Sequence, residues 1–292
     1  MTVASPCTGI CKLDKDTGWC LGCGRSGDEI AAWNSQSPAW RDGVWAQIPT
    51  RLEQLGVHCR RLPWTTDELR QFVLDTLQPG QGTWVMGVVG AVAEYTVPAG
   101  WRHEVRCDRD DITACTRNGA LKMTINDDVR ALTFDPPAAG DAPRIVLAVK
   151  RERGPPPLAD GVRDLGADRQ ALDADRSGHL FDLGLGRVAS RFCVRVPEGT
   201  ARIALQGVLG QPFSHALQHM GAALVAESPP RVVETALGRI EAHGPIPPPD
   251  ARSPLGPHTH LLPDDLATGR NMPTGMDLPG SYLPGAIFYP PR

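Results

Sequence analysis

Lysine is nearly missing from this chain: 4 lysines stand against 26 arginines. The arginines are spread along the whole length, so we read the skew as the base composition of a GC-rich bacterial genome rather than as a phosphate-binding surface. Long hydrophobic runs are also lacking. The longest, Trp84 to Ala93, has ten residues and contains Gly87 and Gly90, about half of what a bilayer-spanning helix needs. No membrane span is expected. The N-terminal residues show no basic stretch followed by an apolar one, so nothing marks the chain for secretion and a cytoplasmic location is expected. With 30 basic and 33 acidic side chains the net charge is -3, which leaves no broad basic footprint for nucleic acid or acidic lipid. The phosphate loop G-x-x-x-x-G-K-[ST], a G-x-G-x-x-G after a strand and the nucleophile elbow G-x-S-x-G are all absent. No period of 20 to 50 residues repeats, which excludes solenoids and propellers.

What is present is a 292-residue chain, 41% hydrophobic, long enough for one large or two ordinary domains. Five of its eight cysteines and five of its seven tryptophans precede residue 65, and 12 of its 28 prolines lie between Pro245 and Pro291. These shifts divide the chain into a four-cysteine module over 1–58, a body over 59–244 and a proline-rich tail over 245–292. The tail holds too much proline for a regular helix or a central strand and is expected to wrap the body as an extended segment. In the body, Thr65-Thr-Asp-Glu68 has the form of a capping box before Leu69, Phe72, Val73 and Leu77 at helical spacing. Runs rich in β-branched residues follow at Thr83–Tyr95, His103–Cys107, Ile112–Cys115, Ala120–Ile125, Val129–Phe134 and Arg144–Lys150, an antiparallel meander. Residues 151–178 read as a long connection, Arg191–Val196 as a strand, Ala201–Leu209 and Ser214–Ala226 as helices, and Arg231–Glu241 as a further strand. The fold class is α+β: a small helical metal module, then a larger mixed domain with an antiparallel sheet.

Cys7, Cys11, Cys20 and Cys23 have the spacing C-x3-C-x8-C-x2-C. In a reducing compartment four thiols this close favour a bound metal over disulfides. Two pairs on tight turns can close a tetrahedron, with backbone N–H groups helping to carry the charge on sulfur. Gly22 and Gly24 are free to take positive φ there, and Lys12, Lys15 and Arg25 lie near in sequence to offset a site that zinc would leave at -2. Zinc is favoured, an iron–sulfur cluster is the alternative and four unligated thiols a third. Ser26-Gly-Asp-Glu29 is a second capping box, with Ile30 and Trp33 on one helical face. Ser37-Pro38 opens another helix, carrying Trp40, Val44 and Ile48, which Pro49 kinks or restarts before Leu52 and Leu55. Trp19, Trp33, Trp40 and Trp45 supply the small core that a metal staples.

Ser5-Pro6-Cys7, Cys11, Cys20-Leu-Gly-Cys23, Arg25, Glu29-Ile30 and Trp33 resemble a short bacterial domain-of-unknown-function family described as predicted iron–sulfur proteins, over residues 5–55. The resemblance implies metal binding by all four cysteines. From about residue 180 onward, Leu180–Gly186, Arg191–Arg195, Arg231–Glu241 and Ser253–Pro263 are similar to an uncharacterised proteobacterial family, which implies no activity.

Three weaker constellations remain. Asp173 to Leu180 begins like a calcium loop, but Gly184 stands where the bidentate glutamate belongs, so a polar turn is expected. His258-Thr-His260 puts two imidazoles on one side of an extended segment, with His243, Asp264 and Asp265 near in sequence, a speculative second metal site. His215 and His219, four apart on a predicted helix, lack the glutamate of H-E-x-x-H and are expected at the surface or as satisfied core residues. Cys107, Cys115 and Cys193 are expected as small buried hydrophobes in strands. The sequence thus points to a metal-binding protein with a structural four-cysteine site, whose body binds a protein partner or small ligand. The alternatives are an iron–sulfur electron-transfer or redox-sensing protein, or a metal-dependent hydrolase using His258 and His260. No catalytic residue is assigned.

Overall fold

The computed structural model describes residues 4–135, 143–172, 178–246 and 259–291, without the side chains of residues 259 and 260. Two small antiparallel bridges, Leu13 to Cys20 and Trp19 to Ser26, fold the first cysteine-bearing segment back on itself. Helix α1 (Gly27–Ala32) then starts at the Ser26 cap: the Ser26 side chain accepts from the Glu29 N–H while the Glu29 carboxylate accepts from the Ser26 N–H. Helix α2 (Pro38–Gln54) opens on Ser37 and runs through Pro49 as one element. Val44, Ile48 and Leu52, on both sides of the proline, pack against Trp33, so tertiary burial holds the helix through the lost hydrogen bond. Gly56, at φ 65, closes it, with the Val57 N–H returning to the Leu52 carbonyl at 2.9 Å. Trp33 is buried, whereas Trp19, Trp40 and Trp45 are half-buried.

The chain next makes β1 (Cys59–Arg61) and α3 (Thr66–Thr76), where the predicted capping box is present and Leu69 and Val73 are buried. The run expected as one strand over Thr83–Tyr95 splits into β2 (Thr83–Val88) and β3 (Ala91–Thr96) around Gly90, which takes φ 86. The meander continues through β4 (His103–Asp108), β5 (Asp111–Thr116), β6 (Gly119–Thr124), β7 (Val129–Phe134) and β8 (Arg144–Lys150). The connection after it carries one short strand, β9 (Arg163–Ala167), and the candidate calcium-loop residues 173–177 lie outside the described residues. Then come β10 (His179–Asp182), β11 (Ser190–Val196), α4 (Thr200–Gln206) and α5 (Phe213–Glu227). Arg231–Glu241, expected as a single strand, is a hairpin of β12 (Arg231–Thr235) and β13 (Gly238–Ala242). The tail adds β14 (Thr259–Leu261), α6 (Pro263–Ala267) and β15 (Tyr282–Tyr289).

Among the described residues all strand pairs are antiparallel and form two sheets, in the orders β1-β7-β8-β15-β2-β3-β14 and β4-β5-β6-β13-β12-β11-β10-β9. Strands β2 and β3 of the first lie against β11, β12 and β13 of the second, and Trp84, Met86, Tyr95, Leu121, Phe192, Val233 and Ile240 share the core between them. The α+β class holds. The expectation that the tail would make no central strand does not: β15 sits between β8 and β2 in the middle of its sheet. The physical reason is a register shift between Pro284 and Ala286, which places the residue without an N–H at a bulge. Gly285 lets the strand come close, since a Cβ there would lie 2.5 Å from the Leu147 carbonyl oxygen.

Candidate metal centre

The two cysteine pairs sit on neighbouring segments. The Leu21 N–H donates to the Lys12 carbonyl at 2.8 Å, and the buried Thr8 hydroxyl donates to the Gly22 carbonyl at 2.9 Å, so the Cys7–Cys11 arm runs beside the Cys20–Cys23 turn. The turn is tight: the Gly24 and Cys23 N–H groups both point to the Cys20 carbonyl, at 2.8 and 3.2 Å. Gly24 takes φ 68, but Gly22 does not adopt positive φ. It is needed for closeness instead, because a Cβ would stand 2.6 Å from Thr8 Oγ1 and 2.7 Å from Ile10 Cβ. Cys20 and Cys23 are buried, Cys7 is half-buried and Cys11 exposed. Among the described residues no three of the His, Cys, Asp and Glu side chains gather tightly enough to hold a metal ion, the four cysteines included.

The thiols nevertheless have polar partners. The Cys20 thiol donates to the Ile10 carbonyl (2.9 Å), the Gly9 N–H donates to Cys7 Sγ (3.4 Å), and Arg25 Nε donates to Cys23 Sγ (3.4 Å). Burial pushes the Cys23 thiol up, against the opposing pull of the Arg25 hydrogen bond and charge. Arg25 is 4% exposed and lies 4.7 Å from the Trp33 ring centroid. Lys12 and Lys15, expected to offset the thiolate charge, are exposed at the surface, and the guanidinium of Arg25 is the cation that reaches sulfur. Behind it, Arg51 pairs with Glu29 at 2.6 Å and stacks over Trp19. Burial raises the Glu29 carboxyl, but Arg51 and the Ser26 N–H win and hold it below its ordinary range.

The arm is also held from the body. The Cys7 carbonyl accepts from Arg61 Nη1 (3.3 Å) and from the Tyr282 hydroxyl (3.4 Å), and the Thr8 carbonyl accepts from the Ser281 hydroxyl (2.5 Å). Trp45 Nε1 donates to the Ala4 carbonyl at 2.9 Å. A cleft of about 630 Å³ opens along this seam, lined by Ser5, Arg61, Trp64, Thr66, Asp127 and Arg130 among others.

The other candidate residues are scattered. His258 lies outside the described residues, and His260 falls in β14, opposite Val92 at the sheet edge. Asp264 and Asp265 begin α6, while His243 stands by the other sheet with Nε2 3.4 Å from the Glu241 carboxylate. His215 and His219 are exposed on α5, their ring centroids 5.0 Å apart. Cys193 is buried as expected, but Cys107 is exposed and Cys115 half-buried. Strand β4 is a sheet edge on which Val105 packs against the core while Cys107, two residues further along, lies exposed, which is why Cys107 fails the expectation. Burial pushes the Cys59 thiol up to about 12.

One cluster escaped the sequence reading. On the outward face of the eight-stranded sheet Arg195 meets Asp168 (3.0 Å) and Glu241 (2.9 Å), and Arg239 meets Asp168 (2.7 Å), Glu241 (3.1 Å) and Glu234 (3.4 Å). Arg191 also pairs with Glu234. The signal was available: Arg191 and Arg195, and Arg239 and Glu241, keep an even spacing inside apolar strands, which puts charge on one sheet face. Beside the network is a cleft of about 310 Å³ lined by Lys122, Thr124, Arg153, Gln170, Glu234 and Arg239 among others.

Comparison with protein families finds two matches. Residues 5–52, which contain the four cysteines, match the model of a protein family of unknown function, DUF1289. No curated protein and no solved structure matches the chain. The model of a second family spans residues 68–292, from α3 through β15 and so the greater part of the chain: the protein belongs to the family of unknown function DUF6925.

Proposed function

We propose that this is a metal-binding protein in which Cys7, Cys11, Cys20 and Cys23 hold one zinc ion in a structural role, attached to a two-sheet body that binds a protein partner or a small ligand. The observation that carries the metal reading is Arg25. A guanidinium buried without an anion costs several kcal/mol, and among the described residues no carboxylate pairs with Arg25, whose Nε points at Cys23 Sγ. A protonated thiol leaves that charge uncompensated, whereas a metal-bound thiolate balances it and accepts the hydrogen bond. The pairs already run side by side through the Thr8–Gly22 and Leu21–Lys12 bonds, so ligation requires the exposed Cys11 and the half-buried Cys7 to turn toward the Cys20–Cys23 pair. For the body, the polar cleft beside Lys122, Arg153 and Arg239 supports a small ligand.

Anaerobic purification followed by absorption spectroscopy and elemental analysis tests the reading. A colourless protein with about one zinc per chain is the expected result; brown colour with iron and acid-labile sulfide would replace it with the iron–sulfur alternative. Cys20→Ser is expected to lose the metal and much of the helical signal of α1 and α2, since ligation supplies folding free energy on the order of 10 kcal/mol in small zinc modules. Wild-type protein free of both metals after reconstitution overturns the proposal.

A further inference from the structure

We infer that β4 is a self-complementary sheet edge, through which two copies of this chain pair as antiparallel neighbours about a two-fold axis at Val105. The pairing uses only the body and does not depend on a metal at the cysteines. Four strands end the two sheets: β1, β14, β4 and β9. Among the described residues β1 and β14 have three residues each, while β9 carries Gly166 at φ 80 and a register shift in its pairing with β10. Short strands and bulges blunt an edge against further pairing. Strand β4 has neither device. Its six residues stay in unbroken register with β5, from His103 opposite Thr116 to Asp108 opposite Asp111, and no described strand lies on its other side.

The turn after β4 settles which backbone groups are free. Only Arg109, at φ 51, and Asp110 separate β4 from β5, so the ladder closes on a hydrogen-bonded pair of Asp108 and Asp111. Alternation then turns the N–H and C=O groups of Asp108, Arg106 and Glu104 toward β5, and those of His103, Val105 and Cys107 toward the open edge. A second strand must match outward residues with outward residues. An axis at Val105 does this, setting Val105 opposite Val105 of the second copy and His103 opposite its Cys107. Val105 is half-buried against the core, so the two cores meet there. The alternate side chains choose the register. Arg102, Glu104, Arg106 and Asp108 are all exposed, and Arg106 stands in line with Lys122 and Arg239 on the outward face of the sheet. With the axis at Val105, Arg102 faces Asp108 of the second copy and Glu104 faces its Arg106, so every charge in the row meets the opposite sign. Moving the axis one residue to Glu104 or Arg106 sets like charges directly across from each other, which is destabilising. In a single copy Glu104 and Arg106 pair with each other along the strand at 2.7 Å, where solvent screens them.

The test is the mass of the full chain by sedimentation equilibrium over a concentration series, with circular dichroism as the folding control. The wild type is expected to pass from one chain to two and no further, because a two-fold contact closes on itself. Arg106→Glu and Glu104→Arg should each weaken the dimer about tenfold or more, since each sets like charges across the axis twice. The double variant should recover it. The two single variants, mixed, should form a mixed dimer, because each supplies the charge that the other lacks. Cys107→Pro removes an N–H that the fold leaves pointing outward, and should give single chains with the sheets intact. Should a charge reversal fail to fold, Cys107→Pro carries the test. Single chains at every wild-type concentration, or growth beyond two chains, would overturn the edge pairing. So would single variants that pair like the wild type, or a mixture of them that stays as single chains.

Discussion

Gly90 carries a close approach between the tail and the body. At φ 86 it turns β2 into β3, its carbonyl accepts from the Leu262 N–H at 2.7 Å, and a Cβ would stand 2.3 Å from the Leu266 nitrogen. Both the backbone conformation and the space forbid a side chain, so Gly90→Ala is expected to destabilise the protein by more than about 1 kcal/mol, measured as a lower denaturant midpoint at unchanged slope. Gly43 is the contrast. It lies inside α2 at ordinary helical φ with nothing within 4 Å of its missing Cβ, and Gly43→Ala should stabilise by about 0.5–1 kcal/mol in the same assay. Neither glycine differs from the other in sequence except by its neighbours. The turn at Gly90 was hidden because the run from Trp84 to Ala93 is continuously apolar, as both strands of a buried hairpin are.

Elements governed by local chemistry were legible. The capping boxes at Ser26 and Thr65 each lie within four residues, so the spacing that predicts them is the spacing that forms them. Thr65→Ala should cost about 1 kcal/mol, read by thermal or chemical denaturation, because α3 is one wall of the core through Leu69 and Val73. Strand β15 was not legible, since proline content is a local property and the bulge that accommodates Pro284 exists only through pairing with β8. Removing residues 282–292 should therefore do more than trim a tail. It takes a strand from between β8 and β2 and removes Tyr282 from Cys7, and circular dichroism of the truncated chain should show loss of sheet signal rather than an intact body.

Across the whole molecule the buried ion network sets a pH dependence. Burial raises the Asp168 carboxyl, but the hydrogen bonds and charges of Arg239 and then Arg195 overcome it and hold the group below its ordinary range. Glu241 is lowered against burial by His243, Arg239 and Arg195. A carboxylate more acidic in the folded than in the unfolded state contributes stability that is present above the unfolded value, about 4, and is lost as pH falls through the folded one. The melting temperature should accordingly drop below about pH 4. Asp168→Asn should flatten that acid limb and cost about 3–5 kcal/mol at neutral pH, because Arg195 and Arg239 lose a shared carboxylate where water cannot replace it.

Local pattern was enough for the α+β class, the helix starts and most of the meander, because each follows from contacts between residues a few positions apart. Tertiary structure alone decided that the proline-rich tail becomes a central strand, that alternate charges of β11 and β13 share one buried network, and that Arg61 and Tyr282 meet at Cys7. Those partners are separated by tens to hundreds of residues. Their pairing depends on which strand edges and faces the packed sheets bring together, and no local pattern encodes that choice.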